Sequence, residues 1–275
     1  MPAVKSATAV GVYPADFLPL QYFVALVACL GFALVRRVKF ASPRECAKMA
    51  VLGVLTGCTS ICYYNSVSLL PSAAALTLLF QYVWVSVLIE CVVERHLPSP
   101  STVVAVIIVL VGTVFAAGLL EGSLETLDPL GVAMGAGSAV FYALYLYLSG
   151  RIGVGQPAAL RAAMLPAGGL LVTSVANPAC YATALFDPNV WPYAVGMSVL
   201  GVILPTTLIN YASPKLSTGM VSVMASSELP VGIFAAWALV GDAPTPLTLF
   251  GAFLVLAGIV VKQLPAIAAD RKNRV

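Results

Sequence analysis

The chain has 275 residues, of which 60 % are hydrophobic and only 9 % are charged. A soluble domain usually carries about 25 % charged residues, and the mean hydropathy here is +0.99, so a soluble enzyme or binding domain is excluded. The six cysteines have no metal-site spacing, and His96 is the single histidine, which excludes a histidine-rich metal or catalytic centre. The composition indicates an integral membrane protein with little mass outside the bilayer.

Nine stretches are long and apolar enough to cross a bilayer as helices, which takes about 20 residues each. Helices are favoured over a barrel because the stretches lack the strict alternation of barrel strands. Proline and glycine mark most of the joints between them. The predicted spans, A to I, cover 17–35, 49–69, 72–93, 101–120, 129–149, 158–180, 192–212, 218–240 and 246–265.

Basic residues separate the two sides of this topology. Thirteen of the 14 lysines and arginines fall on one side, and only Lys5 falls on the other. The side with Lys5 also carries the acidic residues Asp16, Glu121, Glu125, Asp128, Asp187 and Asp242. The positive-inside rule makes the basic side cytoplasmic. We therefore expect a multi-pass protein of the cell membrane, plasma or inner, with a cytoplasmic C-terminus and an outer N-terminus.

The second half of the sequence repeats the first at an offset of 146 residues. Pro98-Ser-Pro100 falls on Pro244-Thr-Pro246, and Val109-Leu-x-Gly112 falls on Val255-Leu-x-Gly258. No gap is needed between these matches, which indicates an internal duplication.

The duplication predicts two inverted repeats. Spans E to I form a five-helix unit, whereas spans A to D provide only four helices, so the first helix of unit one is expected to be largely missing, with Val4–Ala7 as its tail. Five spans in each unit invert the copies in the bilayer, which is the plan of secondary transporters. The predicted domains are a first repeat at 1–120, a second repeat at 128–266 and a cytoplasmic tail at 267–275.

The end of each unit resembles the EamA-type repeat of the drug/metabolite transporter superfamily. Unit two reads Glu228-Leu-Pro-Val-Gly-Ile-Phe-Ala-Ala-Trp237-Ala-Leu-Val-Gly-Asp242-Ala-Pro244-Thr-Pro246, followed by Gly251 and Ala257-Gly258. Unit one reads Glu94-Arg-His-Leu-Pro98-Ser-Pro100, with Ala105 where the family usually has glycine, and then Gly112. The segment Tyr63–Val67 resembles the aromatic end of the third span of a unit. The resemblance implies ten helices in two inverted five-helix units around a central pathway, and this chain departs from it in the first helix.

Glu228 is predicted ten residues into span H, near the middle of the bilayer. A charge at that depth costs roughly 2.5–3.5 kcal/mol, so such a residue normally faces a cavity or a partner. Pro230 removes a backbone donor nearby and can free a carbonyl for a ligand. We interpret Glu228 as a carboxylate that binds a proton or a cationic group in the pathway. The alternative is a protonated carboxyl that is hydrogen-bonded to a neighbouring helix.

Other polar and aromatic residues inside the apolar spans are predicted to line the pathway. They are Tyr64 and Asn65 in B, Gln81 and Tyr82 in C, Ser138, Tyr142 and Tyr145 in E, and Asn210 and Tyr211 in G. The repeat places Tyr82 on Glu228, and the three residues of span E share one helix face. The alternatives are ordinary helix packing and, for the residues of B and G near the membrane faces, an aromatic belt.

Two further charged residues have simple interpretations. Arg161 either holds an anionic substrate or, as we favour, is a topology-determining charge on the cytoplasmic side. Glu90 lies near the cytoplasmic end of span C, where snorkelling or pairing explains it.

The sequence lacks the motifs of ATP-driven transporters and of membrane hydrolases. It has no Walker-type loop, which excludes ATP-driven transport by this chain, and no hydrolase or zinc-protease motif. We therefore predict a secondary transporter that exports a small organic metabolite or drug-like compound by alternating access, with proton coupling inferred by elimination of ATP. We expect the lipid bilayer and a small-molecule substrate as partners, and no cofactor, metal or nucleic acid. A homodimer is possible. The alternatives are a non-transporting, truncated remnant and a membrane-embedded enzyme.

Overall fold

The computed structural model of the chain describes residues 14–116, 128–240 and 243–273. The regular structure of the described residues consists of α-helices, short 3-10 helices and one π-helix, without a strand. The α-helices are α1 (Pro14–Val35), α2 (Pro43–Leu69), α3 (Ser72–Leu79), α4 (Tyr82–Glu94), α5 (Pro100–Ala116), α6 (Pro129–Ser149), α7 (Ala158–Ala176), α8 (Cys180–Thr183), α9 (Val190–Met197), α10 (Leu204–Ala212), α11 (Thr218–Ala225), α12 (Glu228–Val240) and α13 (Pro246–Asn273). The predicted N-terminal tail of the first span at Val4–Ala7, and Lys5, Glu121, Glu125 and Asp242, lie outside the described residues.

Six helical segments of the described chain are long and apolar enough to cross a membrane. They are Asp16–Val35, Pro43–Leu69, Ser72–Glu94, Pro129–Ser149, Ala158–Ala176 and Val190–Lys215. Two shorter apolar helices, Pro100–Ala116 and Pro246–Lys262, accompany them. The predicted all-α, polytopic membrane protein is confirmed, while the count of nine spans and the inverted layout stay predictions. The helix of span I is longer than expected, since α13 continues to Asn273 and through most of the predicted tail.

Spans C and H are each broken into two helices at equivalent positions. Span C is interrupted at Phe80–Gln81, between α3 and α4, and span H at Ser226–Ser227, between α11 and α12. The offset of 146 residues that relates the two halves of the sequence also relates these breaks and all four helix boundaries, to the residue. The sequence predicted each of these spans as one continuous helix.

The helices that follow, α5 and α13, begin in the same way. Ser99 accepts the backbone N–H of Thr102 at 3.3 Å, and Thr245 accepts that of Thr248 at 3.2 Å. Each helix therefore has a hydroxyl N-cap followed by proline at its first position, which is the favoured way to begin a helix. The matching Pro-x-Pro joints of the sequence are these two helix starts.

Helices α5 and α13 pack closely through small residues. A Cβ atom on Gly112 would lie 2.9 Å from the carbonyl oxygen of Gly251, and one on Gly258 would lie 3.1 Å from that of Ala105. Residues 105 and 112 correspond to 251 and 258 in the repeat, so the two close contacts are equivalent pairs with the helices exchanged. Small residues are what let membrane helices approach to this distance.

The chain forms two compact units, each built from both halves of the sequence. The first unit consists of Met1–Asn65 and Leu144–Leu216, and the second of Ser66–Ala143 and Ser217–Val275. In the first unit, α2 and α7 are in backbone contact, because Cβ atoms on Gly53 and Gly168 would overlap carbonyl oxygens of the facing helix. In the second unit, α5 and α13 pack together as described, and α11 packs on α4.

Candidate functional site

The two helix breaks of the second unit determine where its candidate residues lie. Tyr82 is the first residue of α4 and Glu228 the first residue of α12. In span H, Pro230 explains the break, because it has no N–H for the carbonyl of Ser226 and its ring would clash with that carbonyl in a continuous helix. Broken helices at membrane depth occur where the freed backbone is buried in protein or lines a cavity, and they form many transporter binding sites.

Glu228, Tyr142 and Tyr82 form one cluster. The hydroxyl of Tyr142 donates a hydrogen bond to Oε1 of Glu228 at 3.1 Å. The ring of Tyr82 meets that of Tyr142 edge to face, with centroids 4.7 Å apart and planes at 87°. Tyr82 is buried and Tyr142 half-buried, whereas Glu228 is exposed. The cluster therefore places an accessible carboxylate beside two aromatic rings. Such a group can bind a proton, a hydrogen-bond donor or a cation.

Gln81 bridges the break in span C. Its side-chain amide donates to the carbonyl of Thr77 at 3.0 Å, and its Oε1 accepts the indole N–H of Trp84 at 2.8 Å. Gln81 thus connects the last turn of α3 with the first turn of α4, and span C has no proline at the position of Pro230 that would otherwise explain the break.

Ser138 has a local role in α6. Its side chain is fully buried, and its hydroxyl donates to the carbonyl of Gly135 at 2.6 Å. Gly135 also lies against Leu78, since a Cβ atom there would come within 2.7 Å of a Leu78 methyl group. This part of α6 packs against α3, and the pathway roles of Ser138, Tyr142 and Tyr145 stay predictions.

The remaining predicted pathway residues belong to the first unit. Tyr64 meets Phe17 edge to face with ring centroids 5.9 Å apart, and the amide of Asn65 donates to the carbonyl of Ile61. Tyr211 is exposed, and the ammonium of Lys215 lies 3.7 Å from the centre of its ring. In the same unit, Tyr145 and Asn210 are buried side chains.

Arg161 is buried rather than placed at a surface. One guanidinium nitrogen donates to the carbonyl of Asn210 at 2.8 Å, and a second donates to the carbonyl of Ser149. Ser149 ends α6 and Asn210 lies in the last turn of α10, so the cation meets the negative ends of two helices. Arg161 makes no ion pair with a described residue, and its Nε has no hydrogen-bond partner among them. No pattern of side chains indicates this role, because both acceptors are backbone groups.

A second polar group lies at the other end of α4. Glu90, Glu94 and His96 place one potential ligand atom each within 4.8 Å of one another, beside a cavity of about 350 Å³ that Lys262 also lines. Both oxygens of Glu90, however, already accept backbone N–H groups at 2.9 Å. We therefore assign no metal to this group. The contacts of Glu90 were not expected, since its partners lie 128 and 129 residues away.

Comparisons with known proteins agree with this architecture. The model of the EamA-like transporter family matches residues 1–118 and 129–262. A solved structure, described only as the crystal structure of a protein, has a TM-score of 0.73, 19 % sequence identity, and covers 96 % of this chain and 95 % of its own. At that identity the likeness shows a shared fold. A comparison with curated proteins gave no match.

Proposed function

Because the chain belongs to the EamA-like transporter family, and is thus a multi-pass membrane transporter of the drug/metabolite superfamily, we propose that it is a secondary transporter that exports a small organic metabolite or drug-like compound. The observation that carries this proposal is the cluster of Glu228, Tyr142 and Tyr82 at the two helix breaks. An accessible carboxylate beside aromatic rings suits an organic molecule with a cationic or hydrogen-bond-donating group. In keeping with its family of transporters, the chain has no enzymatic activity in this proposal.

The transport mechanism is alternating access between two inverted repeats, at 1–120 and 128–266. The match of the family model in two segments supports this division. So do the equivalent breaks in spans C and H and the exchanged glycine contacts of α5 and α13. In transporters of this plan, the substrate binds near the middle of the membrane at discontinuous helices, and rocking of the repeats exposes the site to each side in turn.

Proton coupling is assigned to Glu228. A carboxylate holds either a proton or a cationic group, so the two compete for it, and entry of a proton on one side can release the substrate there. In this proposal the basic side of the chain, with the C-terminus, is cytoplasmic by the positive-inside rule, and the protein is a component of the cell membrane. A homodimer is not required by this mechanism.

Metabolite profiling is the experiment that tests the transport function. A deletion strain and an overproducing strain are compared for compounds in the medium and in the cell. We expect at least one small organic compound whose external level falls on deletion and rises on overproduction. Glu228→Gln should fail to restore it at equal protein level, whereas Glu45→Gln, at a half-buried carboxylate paired with Lys48, should restore it. Identical profiles of the two strains would contradict the proposal.

Proteoliposomes with an imposed pH gradient test the coupling. Glutamine keeps the size and hydrogen-bonding capacity of Glu228 but cannot exchange a proton. We expect gradient-driven accumulation of the profiled compound by the wild type and none by Glu228→Gln, with both proteins folded. A variant that still responds to the gradient like the wild type would remove Glu228 from the coupling mechanism.

A further inference from the structure

Glu90 of α4 binds the beginning of α11 in the second unit. Its Oε1 accepts the backbone N–H of Thr218 and its Oε2 that of Gly219, each at 2.9 Å. The side chain is only 7 % exposed. The first N–H groups of a helix have no partner within the helix, and a carboxylate there is also favoured by the helix dipole. Glu90 therefore anchors α11 through two charge-assisted hydrogen bonds.

A second polar contact lies one turn along both helices. The hydroxyls of Ser86 and Ser222 are in direct contact, and both side chains are fully buried. Ser86 precedes Glu90 by four residues, and Ser222 follows Thr218 by four. The two contacts therefore lie one helical turn apart between antiparallel helices. Together the two contacts fix the position of α11 along α4 and its rotation about its own axis.

The same two helices lead to the proposed substrate site. One turn before Ser86, α4 begins at Tyr82, whose ring contacts Tyr142. At the opposite end of α11, the chain reaches Glu228 three residues after Ala225. The Glu90 contacts and the cluster of Glu228, Tyr142 and Tyr82 thus lie at opposite ends of the pair formed by α4 and α11.

We propose that Glu90 is a positioning residue, which sets the register of α11 on α4 and thereby holds Glu228 against Tyr142. The proposal rests on the proposed role of Glu228 in transport. Glu90 itself touches neither substrate nor proton in this mechanism. It acts through α11, a short helix that the break at Ser226–Ser227 separates from α12.

The anchor exists in only one of the two repeats. The offset of 146 residues places Glu90 on Ala236 and Thr218 on Ser72, and alanine has no group that could cap a helix. Helix α3, the counterpart of α11, accordingly begins after Pro71 without a side-chain cap. This difference supplies a matched control, because the same substitution can be made at both helix starts.

A disulfide between positions 86 and 222 measures the register. The contact of the two serine hydroxyls brings cysteines at these positions within disulfide reach. Ser86→Cys and Ser222→Cys are combined in the full chain, with the six native cysteines replaced. The rate of cross-linking by a mild oxidant is compared with Glu90 present, with Glu90→Gln and with Glu90→Ala.

Thr218→Pro removes one donor to Glu90 without changing the carboxylate. Thr218 is the first residue of α11, a position where proline is tolerated because its missing N–H is not needed by the helix. Ser72→Pro makes the same change at the first position of α3, which has no anchor. We expect Thr218→Pro, which loses one hydrogen bond to a charged group, to slow cross-linking about tenfold, and Glu90→Ala, which loses both, to slow it more. Glu90→Gln, with one acceptor oxygen left, should fall between the wild type and Glu90→Ala, and Ser72→Pro should have no effect.

Labelling of Glu228 distinguishes positioning from mere stabilisation. Dicyclohexylcarbodiimide reacts with carboxyl groups in membrane proteins, and peptide mass spectrometry reads the reaction at Glu228 separately. We expect faster labelling of Glu228 in Glu90→Ala and Thr218→Pro, because the carboxyl is released from Tyr142, at melting temperatures that show folded protein. Unchanged labelling with slower cross-linking would overturn the positioning role and leave Glu90 a structural cap; unchanged cross-linking would overturn the anchor. Neither measurement requires transport, so failure of the proposed function would be seen separately.

Discussion

The hydroxyl of Tyr142 donates a hydrogen bond to Oε1 of Glu228, 86 residues further along the chain, at 3.1 Å. A phenol that donates to a carboxylate fixes its orientation and occupies one of its acceptor sites. In the proposed transport site, Tyr142 would therefore align Glu228 for a substrate with a cationic group.

Removal of this hydroxyl should weaken transport without unfolding the protein. In Tyr142→Phe the ring contact with Tyr82 is kept and only the hydrogen bond is lost. We expect export of the profiled compound to fall about tenfold, the factor for a bond to a charged group worth at least about 1.4 kcal/mol. Tyr181→Phe, which loses a hydroxyl contact with Ser174 outside the cluster, serves as the control. Equal loss in both variants, or none in Tyr142→Phe, would contradict the role of the bond.

Much of the local architecture could be predicted from the sequence. The Pro-x-Pro joints mark the starts of α5 and α13, because a hydroxyl before proline is a strong helix start. The shared offset also gives the equivalence of Tyr82 and Glu228, which the structure places at the two helix breaks. These features depend on residues that are neighbours in the chain, so they can be recognised from the sequence alone.

The contacts between distant segments could not be predicted. Pro230 signals the break in span H, but span C has no proline at the equivalent position, and its sequence does not show that the helix is interrupted at Phe80–Gln81. Snorkelling or pairing is a sufficient explanation of Glu90 in the sequence, whereas its partners are backbone N–H groups 128 and 129 residues further along the chain. Any residue type offers a backbone N–H or carbonyl, so a pattern of side chains carries no trace of these bonds.

Close packing of α2 on α7 should not tolerate a single methyl group. A Cβ atom on Gly168 would overlap the carbonyl of Ala50, and one on Gly53 would overlap that of Leu165. We expect Gly168→Ala to lower the free energy of unfolding by roughly 1–3 kcal/mol, the usual cost of overpacking. The measurement is the melting temperature in detergent. The control is Gly31→Ala, where the added atom has nothing within 4 Å, and a loss as large as that at Gly168 would contradict the packing argument.

The predicted topology rests on the distribution of basic residues and can be tested directly. Reporters fused within 38–42 and after Lys272 should be cytoplasmic, because 13 of the 14 basic residues lie on that side in the predicted topology. A reporter near Glu125, in a segment outside the described residues, should face the other side. Paired reporters of opposite compartment specificity at each position provide the internal control. A cytoplasmic signal at Glu125 would refute the order of spans.

Arg161 should require its guanidinium group and not only its positive charge. It is 4 % exposed and donates to the carbonyls of Ser149 and Asn210 at the ends of two helices of the first unit. Lysine keeps the charge that the positive-inside rule counts, but its single ammonium cannot reproduce the planar fork that binds both carbonyls. We expect Arg161→Lys to keep the topology and to lose about 1.5–3 kcal/mol of stability, the value of one hydrogen bond to a charged group. Melting in detergent and the reporters described above measure the two effects on the same variant, and Arg44→Lys, at an exposed arginine, should change neither. A lysine variant as stable as the wild type, together with inverted reporters in Arg161→Ala, would show that Arg161 acts through its charge alone.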